Sequence, residues 1–214
     1  MAIGDSLSFE ETAIIPDAVS TPWAAIETTA EVRAGDAVGV WGLGGLGTHA
    51  VQLLRLVGAA PIIAIDPLPA ARRRARSLGA DHALDPTSPD FVELVRANAG
   101  GRALDVALDF AGSSGVPEQA LRALGRDGRL VIVGLSGRPF TVVDSAPMVA
   151  SRQRILGHYG SWPRHVPQLV RLCAAGRLDL STSISEVFPL AEAARAVRSL
   201  EDKDGQPVRL VLQP

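Results

Sequence analysis

The amino-acid sequence predicts an α/β protein, a doubly wound parallel sheet with helices on both faces. Three observations predict it. From Ala37 onward, short apolar runs alternate with stretches of helical periodicity. The runs are separated by enough chain for a crossover helix, which parallel neighbours require and hairpin neighbours do not. A turn with three spaced glycines, Gly42-Leu43-Gly44-Gly45-Leu46-Gly47, stands between the first apolar run and the first long helical pattern.

Each element has its own signal. Ser8-Phe9-Glu10-Glu11 reads as a capping box opening a short helix, and Pro16 suits the first turn of another over about Asp17 to Thr28. Residues 1–35 form a helical lead-in, and 36–214 the sheet-bearing domain with a C-terminal return. Ala37 to Trp41 is the first strand, followed by a helix to about Val57. Pro61 to Ile65 is a strand, and a helix from about Pro69 to Leu78 ends at Gly79. Ala83-Leu84 is a short strand, Phe91 to Ala97 a helix and Leu104 to Leu108 a strand. Pro117 to Leu124 is a helix, and Leu130 to Val133 a strand stopped by Gly134. Phe140 to Val143 and Ile155-Leu156 read as shorter strands, Val166 to Ala175 and Ala191 to Leu200 as helices, and Val208 to Leu212 as the last strand.

The glycine turn is where chemistry enters. Gly42 makes the tight turn, Gly44 lets the backbone approach a pyrophosphate, and Gly47 lets the helix pack closely on the strand. The helix's first amides, near Gly45 and Leu46, then point toward a doubly charged ligand. Asp66 closes the second apolar run 19 residues after Gly47, about where a dinucleotide-binding fingerprint places its ribose-binding acid. Together these features predict a Rossmann domain that binds NAD. The competing reading is a Gly-rich connection with a solvated Asp at a strand end.

Composition excludes more than it suggests. Of 214 residues, 47% are hydrophobic and 21% charged, ordinary for a globular chain, and the net charge of -2 provides no field for nucleic acid or membrane. Arg72-Arg73-Arg74 with Arg76 reads as a solvated helix face, with a 2′-phosphate contact as the alternative. Cys173, the single cysteine, rules out internal disulfides and multi-cysteine zinc sites and reads as a small buried hydrophobe. No signal segment or long apolar run appears, so a soluble cytoplasmic protein is expected. Lys203, the only lysine, lies in Glu-Asp-Lys-Asp-Gly rather than a Walker loop. Tyr159, the only tyrosine, has Pro163 where a short-chain dehydrogenase needs lysine.

Several segments together resemble the zinc-type alcohol dehydrogenases of the medium-chain dehydrogenase/reductase superfamily. They are Leu7 to Glu11, Asp17 to Trp23, Val38 to Gly47, Ser77 to His82 and Gly128 to Gly134. The resemblance covers nearly the whole chain but only the C-terminal part of the family. Full-length members place a GroES-like catalytic domain before it, which supplies zinc ligands, proton relay and most of the substrate pocket. The chain begins at Met1, close before the motif that marks that junction, which implies a truncated product or half of a split enzyme with a separate GroES-like partner.

By resemblance, Gly42, Gly44, Gly45, Leu46 and Gly47 match the pyrophosphate turn and Asp66 the ribose acid. Phe110, Ala111 and Gly112 match the nicotinamide-ribose loop, Val133, Gly134 and Leu135 the loop after the next strand, and Arg154 to Leu156 the segment that reads the carboxamide. Arg209 matches an arginine that in some members contacts the pyrophosphate; an edge-strand surface charge is the plainer reading. Asp17 stands at the third zinc-ligand position. Its partners would lie in the other domain, so no metal site and no catalytic residue is assigned within this chain.

His49, His82, His158 and His165 show no metal-ligand spacing, and His49, near the glycine turn, reads as a packed or helix-surface residue, with a cofactor contact as the alternative. Asp105 and Asp109, about 13 Å apart at i and i+4 on a strand, are strand-end residues rather than an acid/base pair. The implied activity is hydride exchange between NAD(H) and a small alcohol or carbonyl substrate, with a homodimer expected through strands near Phe140 to Val143. The alternatives are a non-catalytic NAD module, a zinc-independent quinone reductase and, less well matched by Gly47, a methyltransferase.

Overall fold

The computed structural model of the protein describes residues 7–202 and 207–214, so Lys203 lies outside the described residues. Six strands form one parallel sheet: β1 (Val38–Trp41), β2 (Ile62–Ile65), β3 (His82–Leu84), β4 (Leu104–Asp109), β5 (Leu124–Ile132) and β6 (Arg154–Gly157). Their spatial order is β3-β2-β1-β4-β5-β6. The chain builds outward from β1 in one direction, then returns to β1's other side to start again at β4. A crevice therefore opens between the C-terminal ends of β1 and β4, the topological switch point of this sheet.

Alternation along buried strands divides the core between the two faces. Val38, Val40, Ile62, Ala64, Val106 and Leu108 face one side, and Trp41, Ile63, Ile65 and Ala107 the other. The first side is covered by α3 (Gly47–Val57), α4 (Pro69–Ser77) and α8 (His165–Ala174). The second is covered by α5 (Phe91–Asn98) and α6 (Val116–Ala123), where Phe91 meets Trp41 edge-on at 6.1 Å and Gln119 accepts the Trp41 indole N–H at 2.9 Å.

The lead-in opens with the expected capping box. Ser8 Oγ accepts the Glu11 amide at 3.1 Å, and the Glu11 carboxylate accepts the Ser8 amide at 3.0 Å. The run then continues without a break from α1 (Phe9–Ile14) through a π-helical turn (Ile15–Val19), α2 (Ser20–Ala24) and a second π-helical turn (Ala25–Thr29). Ile15, Val19 and Ile26 are fully buried in the same core cluster as Val40 and Leu54.

The expected strand over Phe140 to Val143 does not form. Val143 is exposed, and Asp144 starts α7 (Ser145–Ala150) by accepting the Ala146 amide at 2.9 Å, so this apolar run is a connection into a helix. The return segment ends in a parallel pair, β7 (Ile184–Pro189) and β8 (Arg209–Gln213), with α9 (Ala193–Glu201) between them. Among the described residues, no helix is long and apolar enough to cross a membrane.

Candidate cofactor site

The glycine turn caps β1 at the crevice. Gly42 holds a φ of +83°, and a Cβ there would stand 2.7 Å from the Ala111 backbone, so the turn is packed against the loop after β4. At Gly47 a Cβ would stand 1.8 Å from the Gly42 carbonyl oxygen, so only glycine lets α3 start this close to the turn. Gly44 is exposed, with nothing within 4 Å of its Cβ position. No side chain caps the start of α3. Its leading amides and the positive end of its dipole have the character of an anion site.

Asp66, only 9% exposed, stands beside the turn at the end of β2. One carboxylate oxygen accepts the Leu43 amide and the other the Leu68 amide, both at 2.8 Å. Each oxygen keeps a second lone pair for a hydroxyl donor. The neighbouring arginines are already engaged. Arg72 donates to the Asp66 and Pro67 carbonyls at 2.6 and 2.8 Å and pairs with Asp85 at 3.0 Å. Arg74 donates to the Leu43 carbonyl at 2.7 Å and to Thr48 Oγ1 at 3.4 Å, and burial lowers its pKa against the pull of Asp66. The sequence reads Arg72 to Arg74 with Arg76 as one solvated helix face, and does not single out Arg74 as the arginine against the turn. The signal was its place within one turn of Ala71 and Ala75, the buried face of α4.

Arg209 arrives from β8 on the other side of the turn. Its guanidinium atoms lie 2.6 to 2.8 Å from the Cβ position of Gly45, a space any other residue would claim. Its Nε is buried without a hydrogen-bond partner, and burial lowers its pKa while Asp17 opposes that shift. An unpaired buried guanidinium N–H beside open amides is what an anionic ligand would satisfy. His49 lies beneath the turn, fully buried, with Nδ1 2.6 Å from the Gly45 carbonyl and Nε2 2.9 Å from Ser183 Oγ.

Two further loops meet across the crevice. The Asp109 carboxylate accepts the Ala111 and Gly112 amides at 2.9 and 3.2 Å, while its carbonyl accepts the Val133 and Gly134 amides at 2.9 and 2.8 Å. Burial raises the Asp109 pKa, opposed by those two side-chain contacts. A Cβ on Gly134 would stand 2.3 Å from the Gly112 nitrogen, so Phe110 to Gly112 and Val133 to Leu135 run in contact, with Leu135 largely exposed. Arg154 opens β6, so Leu156 lies nearer than Arg154 to the C-terminal edge that borders the crevice.

The remaining candidates serve the fold. Asp105 accepts the Ala37 amide at 2.8 Å at the far end of β4 from Asp109. His158 contacts Thr29 and the Gly160 carbonyl, and His165 contacts Glu27 and the Trp162 amide, so both dock the lead-in; burial lowers both pKa values. Burial pushes the Cys173 thiol up to about 11. Asp17 is exposed and accepts the Thr21 hydroxyl at 3.3 Å. Among the described residues, no three His, Cys, Asp or Glu side chains gather as a zinc ion needs.

Comparison with known proteins agrees with the fold. Residues 45–175 match the model of the zinc-binding dehydrogenase family. An NDMA-dependent alcohol dehydrogenase of Amycolatopsis methanolica is 31% identical over 98% of this chain and 58% of its own length. A probable zinc-binding alcohol dehydrogenase of Mycobacterium tuberculosis is 28% identical over 100% of this chain and 54% of its own. The solved structure of an NAD-dependent alcohol dehydrogenase superposes with a TM-score of 0.89 at 30% identity, covering 100% of this chain and 61% of that one. The chain thus spans little more than half the length of the curated relatives it matches. On the glycine turn, the sheet order and these likenesses, the chain belongs to the zinc-binding dehydrogenase family and spans the part of it that has a Rossmann-like nucleotide-binding fold.

Proposed function

We propose that the chain binds NAD(H) in preference to NADP(H) and presents it for hydride exchange with a small alcohol or carbonyl compound. The pyrophosphate is held by the amides of Gly44 to Gly47 and by Arg209. The adenosine ribose is held by Asp66, and the nicotinamide end lies along Phe110 to Gly112, Val133 to Leu135 and Arg154 to Leu156. When bound, the nicotinamide ring accepts or gives the hydride, and this chain's residues supply position and electrostatics. Residues 1–35 lead toward a GroES-like domain that completes the substrate pocket and brings zinc ligands. Asp17, at the third zinc-ligand position by resemblance, joins them, and without them this chain holds no zinc. The working state is a cytoplasmic homodimer.

The observation that carries the cofactor preference is Asp66, whose two oxygens are fixed by main-chain amides at the edge of the glycine turn. A carboxylate so held accepts ribose hydroxyls, whereas a 2′-phosphate sets like charges in contact. Arg72 directs its Nη1 to two carbonyls and to Asp85 rather than to the Asp66 carboxylate. Fluorescence titration of NADH and NADPH against wild type and Asp66→Asn tests this. Wild type is expected to favour NADH at least tenfold, about 1.4 kcal/mol, and the variant to lose that margin. Equal or tighter NADPH binding by wild type would refute the assignment. The zinc-independent quinone reductase remains the rival among enzymes; it predicts turnover of a quinone by the chain after metal removal.

A further inference from the structure

We infer that His49 is a positioning residue for the pyrophosphate subsite: by holding the Gly45 carbonyl inward, it turns the Leu46 amide outward toward the ligand. The inference rests on the cofactor reading above and adds a residue to it.

The argument begins with peptide geometry. A trans peptide is planar, so the carbonyl of one residue and the amide of the next point in opposite directions. The carbonyls flanking Gly45 take main-chain partners, Gly44 from the Thr48 amide and Leu46 from the Ala50 amide, both at 3.0 Å. The Gly45 carbonyl is held instead by the His49 ring at 2.6 Å. Since His49 is fully buried, that carbonyl points into the protein and the Leu46 N–H away from it. Gly44 and Gly45 lack the Cβ that would restrict their own dihedrals. The ring therefore selects an orientation the two glycines leave open.

The same ring reaches the other half of the subsite. Ser183, 1% exposed, closes the 3-10 turn Ser181–Ser183, and Ile184 beside it pairs in register with Arg209. One imidazole thus links the peptide that presents Leu46 to the strand pair that carries the guanidinium over Gly45. A carbonyl only accepts, so the proton sits on Nδ1, and Nε2 accepts the Ser183 hydroxyl. Burial holds the ring neutral, its pKa lowered to about 4, with Arg209 lowering it further against the Gly45 and Ala18 carbonyls.

Three variants of the full chain separate positioning from space filling. Asn at position 49 brings an amide N–H to the place of Nδ1, Gln brings one to the place of Nε2, and Leu brings neither. NADH affinity, measured by titration, is expected to stay within about threefold of wild type in His49→Asn. It should fall about tenfold or more in His49→Gln and His49→Leu. Binding of adenosine, which has no phosphate and is followed by amide shifts in NMR spectra, should be unchanged in all three. A Gln variant as good as the Asn variant, or equal losses for NADH and adenosine, would overturn the inference. The ring's 15N shifts in wild type provide a readout independent of any variant's folding: a proton on Nε2 would also overturn it. Failure of wild type to bind NADH would sink the cofactor reading instead. In that case the Leu46 amide shift on adding inorganic pyrophosphate still decides the role of His49: a shift lost in His49→Leu and kept in His49→Asn upholds it, and no such difference refutes it.

Discussion

His49 also links acidity to stability. Its ring titrates near 6.5 in an open chain and near 4 in the fold. The unfolded chain therefore takes up the proton first as pH falls. The contribution is complete above about 6.5 and is lost progressively toward about 4. It amounts to on the order of 3 kcal/mol. His158 and His165, both lowered by burial, act in the same direction, so urea unfolding of wild type at several pH values should show a steep acid limb. His49→Asn removes one titrating group, and its stability should fall less than that of wild type between pH 6.5 and 4. Parallel curves for the two proteins would mean that the ring is already charged in the fold.

The glycine turn divides its duties between folding and binding, and two single substitutions separate them. A Cβ at Gly47 would collide with the Gly42 carbonyl, so Gly47→Ala should cost about 2 kcal/mol or more of stability, read from denaturant midpoints. At Gly44 a Cβ meets nothing, so Gly44→Ala should melt within a degree or two of wild type, yet lose NADH binding if the pyrophosphate lies against the turn as proposed. Normal binding by Gly44→Ala would place the ligand elsewhere. This turn, and the strands around it, were legible in the sequence because spacing alone dictates them: Val38 to Trp41, three glycines, then a helix. Phe140 to Val143 misled because three apolar residues and the β-branched Thr141 read as a strand, while the Asp144 cap that commits the next residues to helix is a local hydrogen bond. β7 was missed because Ser185 and Glu186 break its apolar run. Arg209 was placed by resemblance. Its contact with Gly45 depends on the β7 and β8 pairing, which joins residues far apart in sequence.

At the scale of the whole molecule, the sheet ends in β6, which has a neighbour on one side only. Edge strands invite pairing, and exposed Val143 and Val149 belong to the segment that leads into this one. We expect sedimentation at micromolar concentration to show a dimer, and Val143→Asp with Val149→Asp to show a monomer of unchanged circular dichroism. A wild-type monomer would contradict it. The docking of the lead-in has a consequence in time. Ser20 meets Ser161, Trp23 meets Gln168 and Thr29 meets His158, across separations of 141, 145 and 129 residues. A ribosome adds some 5 to 20 residues each second, so roughly 7 to 30 seconds pass between synthesis of the lead-in and that of its partners. Through that interval Ile15, Val19 and Ile26 have α3 to pack on but lack the part of their cover that α8 supplies. The newborn chain is thus most exposed to capture or aggregation before α8 emerges, and a chaperone that shields the first thirty residues would raise the yield of folded protein more than one acting at the end.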